Sequence, residues 1–198
     1  MNSLDAIPVI RKSGAEPFLA NTQPTGIDVL SFWQWSSSNL LGNAMRGILA
    51  EYLVAAALGC HRGTRTEWDG FDVKTPDGIR VEVKSSGYLQ SWTQTKLSKI
   101  QFSIKSAHGW DALNQKRSSA KTRQSDVHVF CVLAHKSKQS VDPLNIDQWD
   151  FYVASTATLD EEMEGQKTIS LKNLLKLDVR KATYHELSDV VHDVASSQ

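Results

Sequence analysis

Apolar and polar residues alternate with a period of two in one stretch of the chain. Phe71, Val73, Ile79, Val81 and Val83 share one parity, and Asp72, Lys74, Arg80, Glu82 and Lys84 share the other. Such alternation marks strands with one buried face. Between the two runs stands Thr75-Pro76-Asp77-Gly78, a strong turn signal. Pro presets φ at the first central position, Asp tolerates the second, and Gly accepts φ > 0. A two-residue loop would set Asp72 opposite Val81, against the apolar pattern. A three-residue loop with Gly78 as the left-handed residue of a bulge pairs Thr75 with Ile79 and Val73 with Val81. Asp72 then lies across from Glu82, with Cα atoms about 4.5–5.5 Å apart, and Lys84 falls one step along the same face.

The segment from Asn39 to Leu58 is the clearest helix. Leu40, Leu41, Ala44, Met45, Ile48, Leu49, Tyr52 and Leu53 recur at helical spacing, and Gly59 is a natural stop. Its second half is apolar all round and is expected to be buried on most sides. Ala44, Gly47, Glu51 and Ala55 form one row of that helix, so its small residues let the face approach a sheet and carry the Glu51 carboxylate inward. An unpaired buried carboxylate is costly, and a metal ion or its waters would satisfy it.

Elsewhere the pattern is plainer. Residues 1–27 lack periodicity and contain Pro8, Pro17, Pro24 and Gly26, which reads as an extended arm or loop. Lys99–Ile104 alternates, with Ile100, Phe102 and Ile104 on one side and Gln101 on the other. Residues 106–125 read as an exposed basic connection, with Trp110 and Leu113 as its apolar anchors. Asp126–His135 is a near-continuous apolar run of the kind central strands show, and Trp149–Ser155 is a further strand. Ser170–Leu177 and Thr183–Val194 read as closing helices, the second with Thr183 and Glu186 at capping-box spacing. This order gives one α/β (α+β) domain over residues 1–198, with a core at 39–155, helices at 170–198, and a central mixed β-sheet flanked by helices.

Composition changes this picture little. The 198 residues, 40% hydrophobic and 22% charged, suit a globular domain, and no apolar run is long enough for a membrane span. The start of the chain lacks the basic and apolar blocks of a signal peptide, and Cys60 and Cys131 read as buried thiols, so a cytoplasmic protein is expected. Net charge is zero, but its distribution is uneven. Between Lys96 and Arg123 seven basic residues face Asp111 alone, whereas from Asp142 onward eleven acidic residues outnumber five basic ones. A basic surface of this kind suits phosphate contacts, and it equally suits an ordinary solvated loop.

Two carboxylates and an amine at mutual reach can hold a divalent ion and serve phosphodiester hydrolysis. Asp72, the Glu82-Val83-Lys84 triplet and the preceding helix with Glu51 resemble the PD-(D/E)xK nuclease superfamily. The resemblance covers about residues 39–104 and extends loosely to 155. The literal Pro76-Asp77 belongs to the turn, so Asp72, preceded by Phe71 rather than proline, is the better match to the motif's aspartate.

The resemblance implies a restriction-endonuclease-like fold and a metal-dependent DNA endonuclease acting in restriction, phage defence or DNA repair. It further implies that Asp72, Glu82 and the Val83 backbone carbonyl bind Mg²⁺ or Mn²⁺. By the same resemblance Lys84 would orient or help deprotonate the attacking water, and Glu51 would hold a metal-bound water or a second ion. Beyond the motif, Ser86, Gln94, Lys96, Lys99, Gln101, Lys116, Arg117, Lys121 and Arg123 are candidates for nucleic-acid contacts. A homodimer would place two active sites on a duplex, and a separate protein would supply target recognition, because the chain leaves little room for a reader domain. The competing reading is a nuclease-fold binding or interaction module without turnover.

Overall fold

The structure, a computed structural model, describes residue 4 and residues 7–66, 69–111 and 116–197. Its centre is a mixed five-stranded sheet in the order β11-β9-β8-β4-β3, formed by β3 (Val73–Lys74), β4 (Arg80–Gly87), β8 (Val127–Leu133), β9 (Trp149–Ser155) and β11 (Arg180–Ala182). Strands β4 and β8 run parallel, in register from Val81 with Val127 to Gly87 with Leu133. The other pairings in this sheet are antiparallel. Every residue of β8 is buried, as its unbroken apolar sequence requires of a strand covered on both faces.

One face of the sheet is covered by α2 (Asn43–Ala57) and α5 (Leu187–Ser196). There Ala50, Leu53, Val54, Leu187 and Val191 pack against Val81, Val83, Val129 and Phe151. The opposite face is covered by a smaller layer: β5 (Gln101–Ser103) paired with β10 (Thr168–Ser170), together with α3 (Thr156–Glu162) and α4 (Leu171–Leu174). Phe102, Ile104, Leu159, Ile169 and Leu174 close over Phe130, Val132 and Tyr152. Burying a side chain of this size contributes roughly 1.5–3 kcal/mol, so the two layers together fix the sheet from both sides. The fold is therefore mixed α+β with a central mixed sheet and flanking helices, as the element order predicts. Among the described residues no helix is long and apolar enough to cross a membrane.

Arg46, buried on α2, ties that helix to the chain that leaves β4. Its guanidinium donates to the Leu41 carbonyl and Gln90 Oε1, each at 3.1 Å, and to Asn43 Oδ1 at 2.7 Å. Burial lowers its pKa.

Four expectations change. Residues 1–27 do not form only a loop: β1 (Pro17–Ala20) and β2 (Gln23–Asp28) make an antiparallel hairpin, followed by α1 (Val29–Ser37). The hairpin turns at Asn21 and Thr22, both with positive φ (48° and 66°), a primed turn without the usual glycine. Asp28 and Ser31 close a reciprocal capping box at the start of α1. The basic connection at 106–125 is also a hairpin, β6 (Ala107–Asp111) with β7 (Lys116–Thr122). Leu113 lies outside the described residues. The closing region contains less helix than expected, since α4 spans four residues and β11 joins the sheet. Last, Glu186 does bond back to the Thr183 backbone at 2.9 Å, but α5 starts only at Leu187.

Candidate active site

The β3–β4 hairpin has the register that its turn chemistry predicts. Val73 pairs with Val81 and Lys74 with Arg80. The Thr75 amide donates to the Ile79 carbonyl, the Gly78 amide to the Thr75 carbonyl, each at 3.0 Å, and Gly78 has φ = 102°. Asp72 thus stands just beyond the paired residues, close enough to Glu82 for that charge to act on its carboxyl. Its amide donates to the Val81 carbonyl at 3.0 Å, while its Oδ2 accepts the Val83 amide at 2.7 Å.

The second bond has a topological reason. β3 pairs only with the first residues of β4, so among the described residues no strand pairs with that edge of β4 from Glu82 onward. Alternation along β4 directs the backbone groups of Val83 to the open edge. The Asp72 side chain fills the place of the missing strand, and the Val83 carbonyl shares the edge.

Charge is concentrated there. Burial, and then the Glu82 charge, push the Asp72 carboxyl up to about 6 against the opposing Val83 hydrogen bond and Lys84 charge, with Glu51 raising it further. Lys84 Nζ makes an ion pair with Glu82 Oε1, and both side chains are half-buried. Below them lies His128, paired in register with Glu82 across the parallel strands. This imidazole is buried, with Nδ1 3.0 Å from Thr156 Oγ1 and 3.3 Å from Ser125 Oγ. Burial, then Lys84 and Arg123, push it down to about 3, so it stands neutral behind the ion pair. His128 was not a predicted site residue. The signal was one polar side chain at the parity of Glu82 within an apolar run, and only the parallel register reveals it.

Glu51 arrives from α2 but is not the unpaired carboxylate that the sequence suggests. Arg65 holds it through two bonds, Nε to Oε2 at 2.5 Å and Nη2 to Oε1 at 3.2 Å. A bidentate arginine satisfies a half-buried carboxylate without an ion. Arg65 is a second residue the sequence did not reveal, being in an aperiodic Gly- and Thr-containing loop. Glu51, Arg65 and Asp72 line an open cavity of about 430 Å³ with Arg11, Tyr52 and His61. Glu82, Lys84 and His128 line a smaller cleft of about 70 Å³ with Lys105, Arg123 and Gln124. Asp72 therefore lines the larger cavity, and Glu82 and Lys84 line the smaller one.

The remaining candidates are distributed differently. Ser86 is buried on β4. Gln94 organises its own loop, with Oε1 accepting the Gln90 amide at 2.7 Å and Nε2 donating to the Tyr88 and Lys96 carbonyls. Gln101 is exposed and donates to Thr168 Oγ1 at 2.8 Å on the β10 side. Arg123 is a structural residue whose guanidinium is occupied by the Ile104 carbonyl at 3.0 Å, the Met163 carbonyl at 3.3 Å and Asp160. It locks α3 to β5 and has little of the freedom a surface phosphate contact needs. Lys96, Lys99 and Lys121 are exposed. Lys116 and Arg117 are in β7, but their side chains lie outside the described ones.

Among the described residues no three of His, Cys, Asp and Glu are gathered closely enough to hold an ion by themselves. The donor set at the β4 edge nonetheless fits a divalent ion. Two carboxylates and a carbonyl supply hard oxygen ligands, and Mg²⁺ characteristically keeps several waters or phosphate oxygens in addition. A carboxyl raised by burial and a neighbouring carboxylate is the situation a cation relieves.

A mixed sheet presenting two carboxylates and a lysine at an open strand edge beside a cavity is chemically suited to cutting phosphodiesters. Residues 16–173 match the family of bacteriophage T4 endonuclease IV, and the chain belongs to that family. The match supports a nuclease, specifically an endonuclease, and spans Glu51, Asp72, Glu82 and Lys84. No curated protein shows significant similarity to the chain.

Proposed function

We propose that this chain is a metal-dependent DNA endonuclease of the PD-(D/E)xK type, with its active centre at the open edge of β4. The observation that supports the reading is the β3–β4 hairpin, in which the Asp72 carboxylate accepts the Val83 amide next to the Glu82–Lys84 ion pair. In this reading Asp72, Glu82 and the Val83 carbonyl hold Mg²⁺ or Mn²⁺. The ion, when bound, stabilises negative charge developing on the phosphate and the leaving oxygen.

The chain's own residues do the rest. Lys84, anchored by Glu82, presents an ammonium group that orients the attacking water by hydrogen bonding. The Val83 amide fixes one Asp72 oxygen, leaving the other to face the site. Glu51 and Arg65 form the wall of the cavity on the α2 side, where Arg65 supplies positive charge for an incoming phosphate. Water oxygen forms the new bond to phosphorus as the bond to the 3′-oxygen breaks, giving a 5′-phosphate and a 3′-hydroxyl.

Purified protein should cleave DNA in Mg²⁺ or Mn²⁺ and not in chelator. Asp72→Asn and Lys84→Ala should each lower the rate by about a hundredfold or more. Undiminished cleavage by both variants would sink the proposal. A module without turnover has one observation in its favour, the ion pairs that already neutralise Glu51 and Glu82. It would show salt-sensitive DNA binding with no metal-dependent product.

A further inference from the structure

The hairpin β1–β2 and helix α1 expose apolar side chains that no other described part of the chain covers. Leu19, Ile27, Leu30, Phe32, Trp33 and Trp35 are between 39% and 85% exposed, and α1 has no buried residue at all. These elements are nevertheless well ordered by local bonds. The Leu30 and Val29 amides donate to the Gly14 and Glu16 carbonyls at 2.9 and 3.1 Å, the Glu16 carboxylate accepts the Ser13 and Gly14 amides at 2.9 and 3.0 Å, and Asp28 caps α1. Gly14 has φ = 101° and lies close against Leu30 and Trp33. Among the described elements, β1 and β2 pack on each other and α1 packs on β2, with no comparable contact to the central sheet or its helices.

A two-stranded hairpin is marginal in water and needs a further apolar layer. Summed over all sides of the hairpin and helix, these six residues expose roughly 600–800 Å², a total spread over more than one face of α1. One face of it offers less than the ~800 Å² per partner of a standard protein interface, which suits a concentration-dependent dimer.

Charge narrows the choice of occupant. From Ser13 to Met45 there is no Lys or Arg, and the two acids, Glu16 and Asp28, are occupied by local backbone amides. A nucleic-acid surface would carry basic residues, and a helix lying on a membrane would carry them along its polar face. An aromatic-rich surface with no basic residue and only two locally bonded carboxylates has the composition of a homodimer core, which is more apolar than other interfaces. Two identical copies of it also meet without like-charge repulsion. We infer that the chain forms a two-fold homodimer through the β1–β2–α1 face, a second copy of the same face being its partner.

The full chain, examined by sedimentation velocity and light scattering from low to high micromolar concentration, should have twice its 22.0 kDa mass. Trp35→Glu and Leu30→Glu, both at exposed positions, should shift it to monomer, with self-association weakened roughly tenfold or more. Circular dichroism and the melting temperature should show the core intact. A wild-type protein that stays monomeric throughout, or that forms only aggregates of mixed mass, overturns the inference. It also fails if both variants dimerise like the wild type, or if the wild-type protein is a monomer that binds phosphatidylglycerol vesicles.

Discussion

Asp72 is the residue on which both the proposed chemistry and the pH dependence of stability at the site turn. Its folded pKa, about 6, lies above its ordinary 3.8, so the folded state binds this proton more tightly than the unfolded chain. The sign follows from linkage: the carboxyl costs nothing below about pH 4, and stability falls as pH rises towards 6, by about 2–3 kcal/mol in full. Asp72→Asn keeps an acceptor for the Val83 amide and removes the charge. It should therefore raise the denaturation midpoint of the metal-free protein at pH 7.5 while abolishing cleavage; a lower midpoint would mean that Asp72 is held by more than the Val83 bond. Asp72, Glu82 and Lys84 were legible in sequence because each is fixed by one turn and one alternating pattern. Arg65 was not, since its pairing with Glu51 joins an aperiodic loop to a helix, and no local rule predicts such contacts. The same limit hid Arg123, whose charge suggested a phosphate contact but whose guanidinium is occupied by the carbonyls of Ile104 and Met163.

At the scale of elements, the β3–β4 turn fixes the register of the site. Gly78 has φ = 102°, a conformation that a side chain disfavours, although a Cβ there would meet no other atom within 4 Å. Gly78→Ala should thus cost about 1 kcal/mol through backbone strain alone. It should also reduce cleavage more than this loss of stability explains, because any slip in pairing turns Asp72 away from Glu82. Activity unchanged in a destabilised Gly78→Ala protein would show that the register tolerates the substitution. Elements with a strong local signal were read correctly: α2 by its 3.6-residue period, β8 by its apolar run, and the β3–β4 hairpin by its turn. Those missed have weak local signals. β6 and β7 carry the Lys- and Ser-rich sequence of a loop, while β10 and β11 have three residues each and are defined by their partners. β1, β2 and α1 escaped notice because their apolar residues face outward, where burial imposes no period.

Across the whole molecule, two buried groups set opposing pH dependences. The folded pKa of His128, about 3, lies below its ordinary 6.5, so the unfolded chain takes up this proton first. Its contribution is complete above about pH 6.5 and is lost as pH falls towards 3, the reverse of Asp72. Between about pH 4 and 6 the two slopes oppose each other, and wild-type stability should be nearly flat. Denaturant titrations should show Asp72→Asn rising in stability with pH across this window and His128→Gln falling. Parallel profiles for the two variants would mean that other groups dominate. This balance depends on the depth of the sheet's core, which the sequence predicted, and on which polar residues lie inside it, which the sequence did not show.

The unpaired edge of β4 has one more consequence. A strand edge without a pairing partner is a template on which other chains can add strands, and the half-buried edge of β4 is also where the proposed catalytic groups sit. The Asp72 carboxylate takes the Val83 amide, and the Glu82–Lys84 pair adds charges that a docking strand would have to desolvate, so these side chains oppose such pairing. Replacing all three with small neutral residues would remove this protection along with the chemistry, so the solubility of the chain and its proposed activity depend on the same three side chains.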